Sequence, residues 1–535
     1  MAFFDILKCT ALYTFYSVTF FAIGVFSYRL LLHPLRGYPG PFVAKISDAH
    51  NGFFAINKRL HIVTREDHIK YGSVMRHGPN KLVFNTVQAL HDIYGNERFI
   101  KSHIYNATTQ TPGVYNTFNV IDKDAHRSKL KIVGKVVNER GMRFFEPTMQ
   151  EQINIFLRTL GESSSESSAS PVNMTDNIRN LACDIIGLLA FGYPLELQTT
   201  ATNHFMVKGM ALANWLVNTR MQWFRIQQSR INDLLILLDT GVREQYKRLL
   251  ERMIKGRLSE NKHIRHDLYS IASEANEDLA NPGGSIRLSD IWAEAAAFFP
   301  AGAFSTSGAL SALFFYLVRY PECYDRLASE IRSTFSNRAE IKSGPQLSSC
   351  LYLRACIDES LRISPPVPGT LWRERASSDN DPRPIIVEGH EIPKGIQVGV
   401  NSYALHHNDA YFPEPFRFMP ERWLPSESSE EQRKIMNAAF SPFSIGYRTC
   451  AGKSMAYLES SLVIALTLWY FDFEAAPGKL AMVGGGTPGS LDGRAHTNEY
   501  QLYDTFNGAH DGPYLVFRPR EDYIKDFRLR GQGSS

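Results

Sequence analysis

The chain has 535 residues, 44% hydrophobic, 12% aromatic and 21% charged, which is the make-up of a globular protein with ample core material and excludes bulk disorder. Its 58 basic and 54 acidic residues leave a net charge of +4, too slight to argue for a nucleic-acid partner. The six cysteines (Cys9, Cys183, Cys323, Cys350, Cys356, Cys450) form no C-x-x-C pair and keep no regular spacing, which argues against a disulfide framework or zinc ribbon and for a reducing compartment.

Cys9 to Tyr28 is twenty residues without a charge, between Lys8 and Arg29. As a helix it reaches ~30 Å, the thickness of a bilayer's hydrocarbon. Its Thr, Ser and Tyr make this a modest transmembrane signal. A cleaved signal peptide should have a shorter apolar run ending in small residues, and a buried core helix is the other alternative. Then comes Pro34-Leu35-Arg36-Gly37-Tyr38-Pro39-Gly40-Pro41, five helix breakers in eight residues, which predicts a stiff, non-helical connector. The expected organisation is an anchor over 1–32, a hinge over 33–42, one large domain over 43–530 and a disordered tail over 531–535. Arg29 and Arg36 follow the span while Asp5 offsets Lys8, which puts the large domain in the cytosol.

No internal repeat is present, and residues 120 to 320 read as mostly helical. Thr175–Phe191 begins with Thr/Asp capping chemistry and stops at Gly192. Ser-rich 161–170 and the Asn-Pro-Gly-Gly stretch within 277–285 are loops. Ser289 to Tyr320 predicts one helix of ~45 Å, almost uncharged between Glu294 and Arg319 and so buried on all sides, with Pro300 kinking or opening its middle. Glu359 and Arg362 share one side of a helix that Ser364-Pro365-Pro366 ends; on the surface such a pair would contribute little. Short strands follow from Pro384, and a further helix spans about Ala451 to Trp469. The class is mainly α (α+β), too interleaved to divide.

The decapeptide Phe443-Ser444-Ile445-Gly446-Tyr447-Arg448-Thr449-Cys450-Ala451-Gly452 carries the most chemistry. Its glycines permit a tight loop whose backbone can approach a flat ligand. Cys450 stands before a helix, where the dipole and free N–H groups favour a thiolate, and Arg448 offers a cation for an acidic group. A lone cysteine before a helix is more often a simple buried thiol.

The pattern Phe-x-x-Gly-x-Arg-x-Cys-x-Gly resembles the axial-cysteine motif of the cytochrome P-450 family. Glu359-Ser-Leu-Arg362 and Phe418-Met-Pro420-Glu-Arg422-Trp423 resemble the family's Glu-x-x-Arg signature and the segment completing that triad, in the family's order along nearly the whole chain. The resemblance implies a haem b (iron protoporphyrin IX) with Cys450 as its axial iron ligand. Phe443, Gly446, Arg448 and Gly452 would surround that haem, and Arg373 and His126 would bind its propionates. Glu359, Arg362 and Arg422 would form a structural network behind it. Where the family usually has a second arginine this chain has Leu130, which leaves that contact to Lys129 or Lys131. The stretches Gly399–Asn408 and Tyr500–Asp504 are similar to filamentous-fungal members of secondary metabolism.

The central helix departs from the family's Ala/Gly-Gly-x-Asp/Glu-Thr. It reads Ala301-Gly302-Ala303-Phe304-Ser305-Thr306: the small residues remain, the acid is replaced by Phe304, and Ser305 with Thr306 retain hydroxyls. Glu294, more than two turns away, is the nearest carboxylate on the helix. Both hydroxyls could equally bond back to helix carbonyls. The resemblance implies a monooxygenase of the endoplasmic reticulum membrane, single-pass with a cytosolic catalytic domain, acting on a small apolar, terpenoid or polyketide-like intermediate. Electrons would come from NADPH through a cytochrome P-450 reductase docked near Arg433, Lys434 and Lys453. Phe304 keeps open a reductase-independent haem-thiolate isomerase or dehydratase, and an inactive haem-binding sensor is the third reading. Apolar pocket linings are expected from Thr111–Val120, Phe205–Phe224, the central helix, Val367–Thr370 and the turn near Asn507.

Overall fold

The computed structural model describes residues 2–109, 111–164, 170–228, 234, 241–260, 267–271 and 288–520. The expected loop at 277–285 and tail at 531–535 lie outside the described residues, as does the middle of the 161–170 loop.

The uncharged N-terminal run is helical over Ala2–Ser27 and continues as a wider π turn over Tyr28–Leu32. Its large apolar side chains are exposed, Phe20 at 80% and Phe21 at 72%, so it is no core helix. The connector is docked on the domain. The Arg29 guanidinium donates to the Ile46 carbonyl, the buried Arg76 donates to the Arg29 carbonyl at 2.8 Å, and the Arg76 N–H donates to Pro39 O at 2.7 Å. Gly40 (φ +145) is required there, because a Cβ would overlap the Arg76 carbonyl.

The central helix runs as Leu288–Phe298, then a π-type stretch over Phe299–Phe304, then Ser305–Arg319, ending before Pro321 as expected. Pro300 lies in the π stretch, where it has no N–H to give and the ladder slips by one residue. Gly302 lets this helix approach the Met174–Phe191 helix, since a Cβ would run into the Ile186 side chain. Phe299 stacks on Phe191 at 5.7 Å across the same contact. Met174–Phe191 matches its expected span and closes at left-handed Gly192 (φ +59). Its N-terminus differs from expectation. Asn173 precedes it without a side-chain cap, and the Thr175 hydroxyl donates instead to Gly512 O at 2.6 Å.

A five-stranded sheet packs beside the helices in the order Val74–Gly78, Lys81–Phe84, Gln397–Val400, Arg373–Arg375, Phe99–Lys101. Lys81–Phe84 and Gln397–Val400 run parallel; the other neighbours are antiparallel. The early strands escape sequence reading because they are short and because Lys81–Phe84 is buried throughout, which erases the alternation that marks a half-exposed strand. A second sheet joins Val172–Asn173, Tyr514–Pro519 and Phe471–Ala475.

Behind these layers, Glu359 is fully buried on the Leu351–Ile363 helix. Arg362 donates to it twice (Nε 3.0 Å, Nη2 2.8 Å), Arg422 Nε once (3.1 Å), and the Met419 N–H (3.1 Å) and Trp423 indole (2.9 Å) complete the set. Arg362 also donates to the carbonyls of His406 and Pro415, so the network ties this helix to the meander before Phe443. Burial acts to raise the Glu359 carboxyl, but the two guanidinium groups outweigh it and hold the acid below its ordinary range. Its contribution to stability is therefore complete above about pH 4.3 and lost as the pH falls through the depressed value. Glu359→Gln, which leaves two buried cations short of a counter-charge, is expected to destabilise the fold by ~3–5 kcal/mol in urea unfolding; a change near zero would show the network to be dispensable.

Candidate active site around Cys450

The Phe443–Gly452 loop is held by its own backbone and by its neighbours. Cys450 N–H donates to Phe443 O at 2.9 Å and Thr449 N–H to Gly446 O at 3.1 Å, closing the loop on itself. Gly446 (φ +73) lies against the carbonyl of Tyr94, which a Cβ would overlap. The Tyr447 hydroxyl donates to Phe99 O, and Arg448 donates to Val120 O and Ile121 O, both at 2.9 Å. Cys450 stands three residues before the Lys453–Tyr470 helix. Its side chain is accessible. Burial pushes its thiol up, and the Gly452 N–H, Lys453 and Lys101 pull the other way. The Gly452 N–H and the two cations thus act in the direction the sequence expects, towards the thiolate, and burial opposes them. Phe443 packs on Tyr457 at 5.2 Å, with Lys453 Nζ 5.9 Å from its ring.

Arg373, His126 and Arg448, far apart in sequence, come together here with Lys101, which sequence reasoning missed. All four are buried. Lys101 and Arg373 are direct cross-strand partners in antiparallel register. Like charges so placed repel, and a negative group between them would relieve it. Burial lowers His126 to about 3, assisted by Arg448, Lys101 and Arg373, so it is a neutral hydrogen-bonding ring. Burial also drives Lys101 well down, Arg373 and Arg448 adding to the effect. The buried Arg448 Nε has no hydrogen-bond partner among the described residues. The signal for Lys101 was available: in Phe99-Ile100-Lys101 strand alternation places the lysine on the same buried face as Phe99. Lys129 and Lys131 do not fill the place of the missing arginine. Lys129 Nζ pairs with Asp290 (3.3 Å) and Glu294 (3.6 Å), and Lys131 is exposed. A thiol beneath a basic wall could hold a flat, dianionic metal complex such as haem.

On the central helix, Ala297, Ala301, Ser305 and Ala309 recur every four residues as a partly accessible stripe. The Ser305 hydroxyl donates back to Ala301 O, and Thr306 is buried. Phe304 is 4% exposed and belongs to the main core, so it adds no bulk beside the stripe. Glu294 lies more than two turns from Ser305 along the helix. It is buried, with both oxygens accepting from the Thr117 N–H at 2.8 and 2.9 Å; burial raises its carboxyl, and Thr117 and Lys129 oppose that. Three of the expected lining segments meet at Tyr105, Phe118, Met221 and Phe506, with Phe118 5.4 Å from Tyr105 and 5.3 Å from Phe506. Asn507 donates to Pro300 O at 3.0 Å and docks its turn on the central helix. Lys434 and Lys453 are exposed near the loop, whereas Arg433 spends its guanidinium on the carbonyls of Pro425 and Ser428.

The sequence model of the cytochrome P450 family matches residues 38–481. The chain is 33% identical over 540 residues to cytochrome P450 monooxygenase apf7 of Gibberella fujikuroi, covering 95% of this chain and 97% of that protein. It is 34% identical to cytochrome P450 monooxygenase AKT7 of Alternaria alternata, covering 92% and 94%, and 33% identical to poxM of Penicillium oxalicum, covering 94% of each. Among solved structures the cytochrome P450DA heme domain superposes with a TM-score of 0.67 at 18% identity, over 87% of this chain and 94% of that one, which speaks for the fold.

The Gly446 contact makes a sharp test of the loop. Gly446→Ala should cost ~1–3 kcal/mol for the left-handed backbone alone, with more from the overlap at Tyr94. Gly134→Ala, in a helix with open space at the Cβ, should leave thermal unfolding unchanged or slightly raised. Equal melting temperatures for the two variants would contradict the placement of the loop.

Proposed function

Because the chain belongs to the cytochrome P450 family and is a monooxygenase of it, we propose that it is a membrane-anchored haem-thiolate enzyme of fungal secondary metabolism that oxygenates a small apolar, terpenoid or polyketide-like intermediate. The observation that carries this reading is the accessible Cys450 sulfur beside a buried wall of Lys101, His126, Arg373 and Arg448. The fit to haem b rests on that donor set: a soft sulfur for iron, and opposed cations in Lys101 and Arg373 that two propionates would offset.

Haem, when bound, supplies the oxidising chemistry and the one-electron steps. Cys450 is the single protein ligand in this reading, and its thiolate pushes electron density towards the iron. Gly446 and Gly452 would let the loop backbone lie close to the haem, with Phe443 fixed by Tyr457 and by its carbonyl's bond to the Cys450 N–H. Arg448, Arg373 and Lys101 neutralise the propionates, while neutral His126 adds a hydrogen bond. The partly accessible stripe from Ala297 to Ala309 would leave room for substrate. There the Ser305 hydroxyl, with Thr306 behind it, holds and passes protons in place of the acid that Phe304 replaces. A reductase-independent isomerase or dehydratase is the second reading, favoured by Phe304 facing the core and leaving no carboxylate on the stripe between Ala297 and Ala309. A requirement for NADPH separates the two.

In the same reading, residues 1–32 anchor the chain in the endoplasmic reticulum membrane, 33–42 connect, and 43–530 form the cytosolic catalytic domain. An NADPH-cytochrome P450 reductase docks on the side of Lys434 and Lys453. Cys450→Ala should abolish the strongly red-shifted Soret band of the reduced, carbon-monoxide-treated protein together with all turnover; a band that survives the substitution excludes Cys450 as ligand. Deleting residues 1–32 should move the protein from the carbonate-washed membrane pellet to the supernatant with its haem content intact. Continued pelleting would remove the anchor assignment.

A further inference from the structure

Tyr457 lies one turn into the Lys453–Tyr470 helix, and its surroundings differ from those of Tyr94 and Tyr447, which also border the cysteine loop. The Tyr447 hydroxyl donates to Phe99 O and the Tyr94 hydroxyl to Leu371 O, carbonyls that accept a hydrogen bond but do not take a proton. The Tyr457 hydroxyl donates instead to a carboxylate, Asp358 Oδ1, at 2.6 Å. Asp358 Oδ2 accepts from Arg354 Nε at 2.8 Å, and the Arg354 guanidinium carbon lies 3.6 Å from the centre of the Tyr457 ring. The same ring meets Phe443 at 5.2 Å, and the Phe443 carbonyl accepts the Cys450 N–H at 2.9 Å. A continuous line of contacts thus runs from Cys450 through Phe443 and Tyr457 to Arg354, whose side chain is half-exposed.

A neutral phenol that loses an electron becomes strongly acidic, so its oxidation near neutral pH goes with loss of the hydroxyl proton. A base already in hydrogen-bond contact makes the combined step easier, as a positioned general base does in any proton transfer. Asp358 is such a base. Its side chain is mostly buried, and burial raises its carboxyl, with Arg354 and Tyr457 opposing. Burial first, and then the Asp358 charge, raise the Tyr457 phenol, so at rest the proton stays on the ring oxygen. Tyr352, Tyr403 and Tyr324 also donate to carboxylates, but their rings meet Arg326, His407 and Phe473 rather than the loop.

We propose that Tyr457 is a redox-active residue that returns an electron to the haem when the oxidised site holds no substrate, with Asp358 taking the phenolic proton. The proposal rests on the haem-thiolate reading above. With a hydroperoxide as oxidant the step balances. Reduction of ROOH to ROH and water takes two electrons, drawn from the haem, and two protons from solvent. Tyr457 returns one electron and its O–H bond breaks, leaving a neutral tyrosyl radical and a protonated Asp358. A one-electron donor such as ascorbate, reacting at the Arg354 edge, restores the phenol as Asp358 gives the proton back. The oxidising equivalent is thereby led away from the Cys450 thiolate, which is itself open to oxidation.

The test uses the full-length holoprotein, free of substrate, made with either ordinary or ring-deuterated tyrosine. It is mixed with cumene hydroperoxide, frozen within milliseconds and read by electron paramagnetic resonance, while bleaching of the Soret band is followed in parallel. The wild type should give an organic radical signal that narrows with deuterated tyrosine, the mark of a tyrosyl. Tyr457→Phe should lose that signal and bleach faster at unchanged haem content. Asp358→Asn keeps the ring but cannot take the proton, and should slow the appearance of the radical by about 10²–10⁴-fold, the size of a lost proton acceptor. Tyr352→Phe removes a tyrosine with a carboxylate partner of its own and should leave the signal as in the wild type. An undiminished tyrosyl signal or an unchanged bleaching rate in haem-replete Tyr457→Phe would overturn the proposal. So would a radical that forms at the wild-type rate in Asp358→Asn, a signal lost in Tyr352→Phe, or a wild type that bleaches without any tyrosyl signal. A wild type lacking the red-shifted Soret band of the reduced, carbon-monoxide-treated form would instead overturn the haem reading, and the redox role with it.

Discussion

A single buried carboxylate organises the ground on which the site stands. Glu359 accepts from two guanidinium groups, an indole and a backbone N–H, drawn from its own helix and from the segment Met419–Trp423. Arg362 and Arg422 in turn donate to the carbonyls of His406, at the end of the Ser402–His406 helix, and of Pro415 and Pro413 in the irregular stretch that follows. Two buried cations and one buried anion are costly unless every proton and lone pair is used. Here nearly all are used, which fixes the meander 413–424 against the Leu351–Ile363 helix. His406, lodged beside Arg362 and kept neutral by burial, then accepts the Ser441 N–H at 3.0 Å and passes that fixed position to the start of the cysteine loop.

The same economy recurs at each irregular segment. Asp184 takes the N–H groups of Leu197 and Gln198, and Arg76 takes the carbonyls of Arg29 and Pro79. Arg448, Lys101 and Glu294 divide the backbone of 117–121 between them. A charge that holds a loop is also a field at the site, so the residues that position Cys450 and its surroundings set the local electrostatics as well. His126 is neutral because burial and three cations make it so, and the Cys450 thiol is held up by burial against Lys453 and Lys101.

The central helix shows what a departure from a motif means once packing is known. Phe304 removes an acid from the sequence pattern, but its ring is a core residue, and the accessible positions are Ala301 and Ser305. Gly302 allows close approach to Ile186 on the neighbouring helix. The space along the stripe comes from the alanines.

Much of this was legible in the sequence, and for local reasons. Pro300 had to disturb its helix, Gly192 had to end one, and an uncharged run from Cys9 to Tyr28 had to be helical and unable to shed its apolar surface into water, because these consequences follow from a residue and its near neighbours. The cysteine motif and the Glu359–Arg362 pair were equally local. The early short strands, the cross-strand meeting of Lys101 with Arg373 and the reach of Glu294 to Thr117 were decided by tertiary structure alone. Thr117 and Glu294 are separated by 177 residues and Arg448 and Val120 by 328. Which buried donor finds which carbonyl over such distances depends on the packing of every element between them, and no periodicity in the chain records it.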